Sequence, residues 1–166
     1  MIGADILQYL FGGILPGGVS SSGATTGGDA GEREDAPPFV AAIGPLAPGV
    51  VRVGGTGPDS LTGTNDDDTL RGDRGDDTLV GLAGDDVIFA SLDDDKLFGG
   101  DGDDRLTGGG GNDTIVGGQG ADRLRGGALD DVLRGGGDKD TLLGGPGNDT
   151  LRGGGANDSL KGGGGA

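Results

Sequence analysis

Aspartate recurs along this chain with a fixed period. In the stretch "GGGGNDTIVGGQGADRLRGG", Gly108 to Gly127, Asp113 and Asp122 stand nine residues apart, and each precedes an aliphatic residue by two positions. The pattern Gly-Gly-x-Gly-x-Asp-x-aliphatic-x keeps one register from Gly54 to Lys161, twelve nonapeptides in all. Its sixth position is Asp every time: Asp59, Asp68, Asp77, Asp86, Asp95, Asp104, Asp113, Asp122, Asp131, Asp140, Asp149 and Asp158. Its eighth is always Leu or Ile, from Leu61 to Leu160. A thirteenth repeat begins at Gly162, and the sequence stops at Ala166.

Carboxylates at such a spacing suit cations. The chain has no Cys and no His, which excludes disulfides, the usual zinc sites and Cys- or His-based catalysis. Oxygen is then the one donor class present in quantity, and it selects a hard cation, calcium or magnesium. Calcium is the better match, because its longer and more flexible coordination accepts carboxylates mixed with turn carbonyls, whereas magnesium dehydrates reluctantly. Net charge points the same way. With 28 acidic against 12 basic residues the chain carries −16, which favours cationic partners and argues against nucleic acid and anionic membrane surfaces.

Other uses of the acids fit less well. Paired carboxylates such as Asp103–Asp104 suggest a hydrolase, but neighbours in a regular array lack the distinct environments that separate an acid from a base. No enzyme activity is expected of this chain. The repeats contain no Glu to close an EF-hand loop, and no Gly-Lys-Ser/Thr follows the glycines as a phosphate loop requires. Collagen needs a period of three. An ice-binding ladder needs regular Thr or Asn, whereas the second and third turn positions vary among Asp73, Leu82, Ser91, Gln119 and Pro146.

The elements that position the aspartates follow from the nine residues. The x-aliphatic-x triplet is a short strand with one inward apolar side chain, and the glycine half is a turn that uses φ > 0 and close backbone approach. One strand and one turn make half a coil, so 18 residues return the chain to its starting side. Coils then stack at about 4.8 Å. Stacking sorts Asp59, Asp77, Asp95, Asp113, Asp131 and Asp149 to one edge, and Asp68, Asp86, Asp104, Asp122, Asp140 and Asp158 to the other. Like charges at that spacing repel by roughly 0.9 kcal/mol in water, and by several times more at an effective dielectric near ~20. The acidic fifth positions (Asp67, Asp76, Asp85, Asp94, Asp103, Asp130) add to the repulsion. Only 31% of residues are hydrophobic and 3% aromatic, too few for a core that overrides it. Folding is therefore expected to be coupled to metal.

Residues 1–53 differ in kind. Spacing of Ile6, Leu7, Leu10 and Phe11 predicts a small amphipathic helix over residues 4–11, too short to span a membrane. No Lys or Arg precedes Arg33, so the segment is a poor secretory signal. Residues 16–38 are small, polar and rich in Gly and Pro, and read as a flexible linker. Val50 to Val53 predicts a strand that covers the open edge of the first coil.

The repeats resemble the RTX family, the hemolysin-type calcium-binding nonapeptides. "GGPGNDTLR" (Gly144 to Arg152), "GGGGNDTIV" (Gly108 to Val116) and "GGDGDDRLT" (Gly99 to Thr107) match at every fixed position, and the resemblance covers residues 54–166, about two thirds of the chain. It implies an all-β parallel β-roll of about six 18-residue coils. It also implies calcium ions held between stacked turns by Asp side chains and backbone carbonyls. The ligands implied are Asp59, Asp68, Asp77, Asp86, Asp104, Asp113, Asp122, Asp131, Asp140, Asp149 and Asp158. Five gaps on each edge give up to about ten ions. Asp95 is left out because its repeat, "ASLDDDKLF", has none of the turn glycines. Leu129, Asp138, Ala156 and Asp66 replace the fourth-position glycine elsewhere, so strained or differently shaped turns are expected there.

The resemblance implies a secreted or cell-surface location, with export through a type I channel. The function expected is a calcium-binding extracellular structural module that folds on binding calcium. The competing reading is the accessory or secretion tail of a hydrolase, toxin or epimerase. Self-association is expected through the open end of the roll, through the N-terminal helix, or through a stripe of Val80, Phe98 and Val116, outward residues 18 apart.

Overall fold

The computed structural model describes residues 49–165. The helix expected over residues 4–11 and the linker over residues 16–38 lie outside them. Thirteen strands follow one another: β1 (Val51–Val53), β2 (Ser60–Thr62), β3 (Thr69–Arg74), β4 (Thr78–Ala83), β5 (Val87–Leu92), β6 (Lys96–Asp101), β7 (Arg105–Gly110), β8 (Thr114–Gln119), β9 (Arg123–Ala128), β10 (Val132–Gly136), β11 (Thr141–Pro146), β12 (Thr150–Gly154) and β13 (Ser159–Gly164). The odd-numbered strands form a seven-stranded sheet and the even-numbered ones a six-stranded sheet. Every pairing is parallel with a register of 18 residues, as in Leu70↔Ile88 and Leu79↔Leu97. This is the all-β roll of about six coils that the period of nine requires.

The core is one line of aliphatic side chains per sheet. Leu61, Leu70, Leu79, Ile88, Leu97, Leu106, Ile115, Leu124, Leu133 and Leu142 are all buried and form one cluster, which Ala90 completes. The ten Leu and Ile residues come from the eighth position and Ala90 from a first position, so one eighth-position aliphatic per strand suffices when the coils stack. Burial fades towards β13: Leu151 is partly buried and Leu160 is 46% exposed.

The opposite end is closed differently. The expected capping strand is present as β1, paired with β3 through Arg52↔Leu70. Arg52 thus takes the inward register position that Leu or Ile fills elsewhere, and its Nε is buried without a hydrogen-bond partner. An inward charge on a three-residue edge strand discourages further strands from adding there.

Turn geometry explains the glycines. Gly100 has φ +128, and a Cβ there would meet the Leu82 carbonyl oxygen at 1.9 Å. The departures from glycine mostly keep that backbone. Asp73, Leu82, Ser91, Asp93, Leu129 and Ala156 have φ between 56 and 104, a region that costs an L-residue roughly 1–2 kcal/mol. The turns at Asp93, Leu129 and Ala156 are therefore strained, while Asp66 and Asp138 reach their turns without positive φ.

Candidate metal centre

The sixth-position aspartates are the most buried acids of the fold. From Asp68 to Asp140 all nine are at most 2% exposed, Asp95 included, whereas Asp59, Asp149 and Asp158 are half-buried. The two edge columns read from the spacing are physical ladders. The Asp59 N–H donates to Asp77 Oδ1 at 2.8 Å, Asp68 to Asp86 at 2.8 Å, and so on to Asp140 donating to Asp158 at 3.0 Å. There are ten such rungs, five on each edge. The main-chain carbonyls of Asp59 to Asp140 in these columns are also used, as where Thr78 N–H donates to Asp59 O at 2.9 Å.

In nine of the twelve carboxylates one oxygen is left over. Oδ2 of Asp77, Asp86, Asp95, Asp104, Asp113, Asp122, Asp131, Asp140 and Asp149 is buried with no hydrogen-bond partner. A buried unpartnered carboxylate oxygen is costly, and nine in register need a common explanation. Six of them, on Asp77, Asp86, Asp104, Asp122, Asp140 and Asp149, face oxygen-lined cradles. At Gly81 an added Cβ would lie 2.0 Å from Asp86 Oδ2 and 2.6 Å from the Gly99 carbonyl oxygen. At Gly117 the same two contacts would be 2.1 Å to Asp122 Oδ2 and 2.8 Å to the Gly135 carbonyl oxygen. The first-position glycine thus keeps open a space where a carboxylate oxygen and a carbonyl oxygen of the next coil converge.

The electrostatics match. Asp77, Asp104, Asp113 and Asp131 are pushed up to about 6, and Asp86, Asp95 and Asp122 to about 7. Burial is the largest cause in each, only partly offset by the backbone N–H that holds Oδ1, with neighbouring carboxylates adding to it. Asp140 is raised for the same reasons. These groups resist being charged without a cation. No three acidic side chains converge among the described residues, so a cation held here draws on main-chain oxygen as well. A hard cation that accepts mixed carboxylate and carbonyl ligands fits this donor set.

The first two candidates are served by the protein itself. Asp59 Oδ2 accepts from Gly55 N–H at 2.6 Å. Asp68 accepts from the N–H and Oγ1 of Thr64 and from Val50 N–H. Asp95 shares the ladder, burial and bare Oδ2 of its neighbours. Its repeat begins with fully buried Ala90 instead of glycine, so a methyl group takes the place of a bare Cα. At the other end a cavity of about 260 Å³ is lined by Gly147, Asn148, Asp149, Gly162, Gly163 and Gly165.

A second ladder was not legible from the repeat. The fifth-position acids hold the backbone in the opposite direction: Asp85 N–H donates to Asp67 Oδ1 at 2.8 Å, Asp103 to Asp85 at 2.9 Å and Asn112 to Asp94 at 2.7 Å. Asp67, Asp76, Asp85, Asp94, Asp103 and Asp130 are exposed and tie coil to coil. The signal in the sequence was the sharing of this position by Asp and Asn, which both offer Oδ1 as an acceptor.

A comparison with curated proteins gives no match. The family model for the RTX calcium-binding nonapeptide repeat, itself four copies long, matches in seven overlapping windows: residues 53–88, 72–106, 80–115, 89–124, 98–133, 116–151 and 134–166. Together they cover the two carboxylate ladders and every unpartnered Oδ2. The chain belongs to the RTX calcium-binding nonapeptide repeat family.

Proposed function

We propose that this chain is an extracellular calcium-binding structural module whose roll forms when calcium enters the two edges. One observation carries the reading: nine buried carboxylate oxygens without partners, six of which (Asp77, Asp86, Asp104, Asp122, Asp140 and Asp149) converge with a carbonyl oxygen of the next coil at a first-position glycine. The ions are held by sixth-position aspartates and turn carbonyls. Asp77, Asp86, Asp104, Asp113, Asp122, Asp131, Asp140 and Asp149 are the strongest seats, with Asp59, Asp68 and Asp158 at the ends. Calcium neutralises the columns and gives the bare oxygens a ligand. The module is not an enzyme, a view supported by the uniform surroundings of the aspartates along each edge. In a secreted location the sites need only affinities of roughly 10⁻⁴–10⁻³ M, the range of extracellular calcium modules.

Ion counting by equilibrium dialysis tests the seats. Asp104→Asn and Asp122→Asn keep an Oδ1 for the rung but remove the charge, and each is expected to lower the number of calcium ions bound at millimolar calcium. Asp101→Asn, at an exposed third position, is expected to leave it unchanged. Equal losses from all three would show that total charge, not the ladder, sets binding.

A further inference from the structure

The acids and cations of this roll are separated in space. Positions seven and nine, which face outward on the two sheets, carry eight Arg and Lys residues across the twelve repeats and no Asp or Glu. Apart from Asp73 on β3, which pairs with Arg71, and Asp101 at the end of β6, the repeat acids lie in the turns. On the seven-stranded sheet, adjacent strands β7 and β9 present Arg105, Arg123 and Arg125, all exposed, with Arg105 and Arg123 in direct register. None of the three forms an ion pair; Arg71–Asp73, at 3.0 Å, is the one ion pair among the described residues. The same face exposes apolar side chains towards its β1 end: Val51 is 74%, Val53 52% and Phe89 43% exposed. A sheet face with exposed Phe89 on β5, the strand next to β7, exposed Val51 and Val53 on β1, and unpaired guanidinium groups on β7 and β9 has the chemistry of an interface with anionic lipid.

We propose that the outer face of the seven-stranded sheet docks on an anionic phospholipid surface, and that calcium switches this docking on. Net composition hides the face, because a charge of −16 averages over edges and sheets alike. The six-residue strands β7 and β9 span about 20 Å at ~3.3 Å per residue, so the middle of the face lies about 10 Å from either carboxylate edge, one Debye length at ~0.1 M salt. Edge carboxylates without cations therefore repel an anionic surface from the face between them. Calcium on the edges removes that repulsion: eight divalent ions, 8 × 2 = 16, would cancel the whole net charge. The switch rests on the calcium reading above. Phosphate recognition favours Arg, whose planar guanidinium donates two parallel hydrogen bonds, and the cluster on β7 and β9 is all Arg.

The test is co-sedimentation of the full chain with vesicles, with circular dichroism recorded on the same samples. The vesicles are phosphatidylcholine mixed with phosphatidylglycerol, or phosphatidylcholine alone, each in millimolar calcium or in chelator. Docking is expected only with phosphatidylglycerol and calcium, and is expected to weaken as salt rises. Each arginine near an anionic bilayer changes partitioning by about fivefold, so Arg105→Gln/Arg123→Gln/Arg125→Gln is expected to lose about a hundredfold. Arg134→Gln/Arg152→Gln, on the six-stranded sheet, is expected to keep docking. Equal binding by the triple variant would show calcium bridging or another face at work and overturn the proposal. Equal binding in chelator, or capture by dextran sulfate without vesicle binding, would overturn it as well. A chain that folds in calcium but ignores the vesicles overturns this inference alone; one that stays unfolded in calcium overturns it together with the calcium reading.

Discussion

At the scale of single residues, the aspartates of this roll are divided between two tasks by their two oxygens. Oδ1 ties adjacent coils together, and Oδ2 waits for a cation. Their raised pKa values fix a pH dependence. In the unfolded chain these carboxylates titrate near their ordinary value of 3.8, and in the roll near 6 to 7. Protonation therefore favours the fold. Stability of the metal-free roll is fully expressed below the unfolded value and is lost as pH rises through 6 to 7. Calcium-stripped protein is expected to gain β signal as pH falls from 7 towards 4. Circular dichroism with sedimentation, to separate folding from precipitation near the pI, checks this; a flat response would contradict the burial of these groups. The same protons compete with calcium, so the calcium midpoint is expected to rise on acidification. Side-chain removal acts at both oxygens. Asp113→Ala and Asp122→Ala each delete a charge-assisted rung worth about 1.5–3 kcal/mol, and both are expected to raise the calcium midpoint well above that of Asp101→Ala.

At the scale of the element, each nonapeptide is a strand that buries one residue and a turn that needs two left-handed positions. Leu129 occupies one of these at φ 79 while being 58% exposed, so its side chain contributes strain and little burial. Leu129→Gly is expected to stabilise the calcium-loaded roll by about 0.5–1 kcal/mol, relief of left-handed strain outweighing the added freedom of the unfolded chain. Gly81→Ala is expected to do the reverse, since its Cβ would crowd the pairing of Asp86 Oδ2 with the Gly99 carbonyl oxygen. Thermal unfolding in saturating calcium measures both. Much of this element was legible beforehand. Period nine and the invariant Leu or Ile at position eight gave coil, register and the two columns, because stacking identical units leaves one arrangement; the strands, expected as three-residue pieces, run up to six residues into the glycine half, as in Thr78–Ala83. The fifth-position ladder was not legible: exposed acids in a turn give the same pattern whether or not they accept a neighbour's N–H. Nor was the environment of Asp95. Losing its glycines suggested a different turn, yet its neighbours above and below impose the same backbone, with Ser91 and Asp93 at φ 104 and 77. Arg52 was equally hidden, since an arginine in a short strand does not show in the sequence that it occupies a core register.

At the scale of the whole molecule, the roll is a one-dimensional stack whose parts contact only their neighbours, so its stability is a sum along the axis. Its ends and faces then decide what it joins. Val80, Phe98 and Val116 are register neighbours on β4, β6 and β8 as their spacing predicted, with Phe98 37% exposed. Sedimentation in calcium at several protein concentrations is expected to show reversible association, weakened by Phe98→Ser. A strict monomer at every concentration would remove self-association, and an unchanged Phe98→Ser variant would remove the stripe. The measurement that bears most directly on the central claim is circular dichroism with hydrodynamic size across a calcium titration. The roll buries nine carboxylate oxygens that nothing among the described residues satisfies. In chelator at neutral pH the chain is therefore expected to be expanded and without β signal, becoming compact and β-rich in one transition at sub-millimolar to millimolar calcium. A compact, equally β-rich chain in excess chelator at the same pH would contradict it.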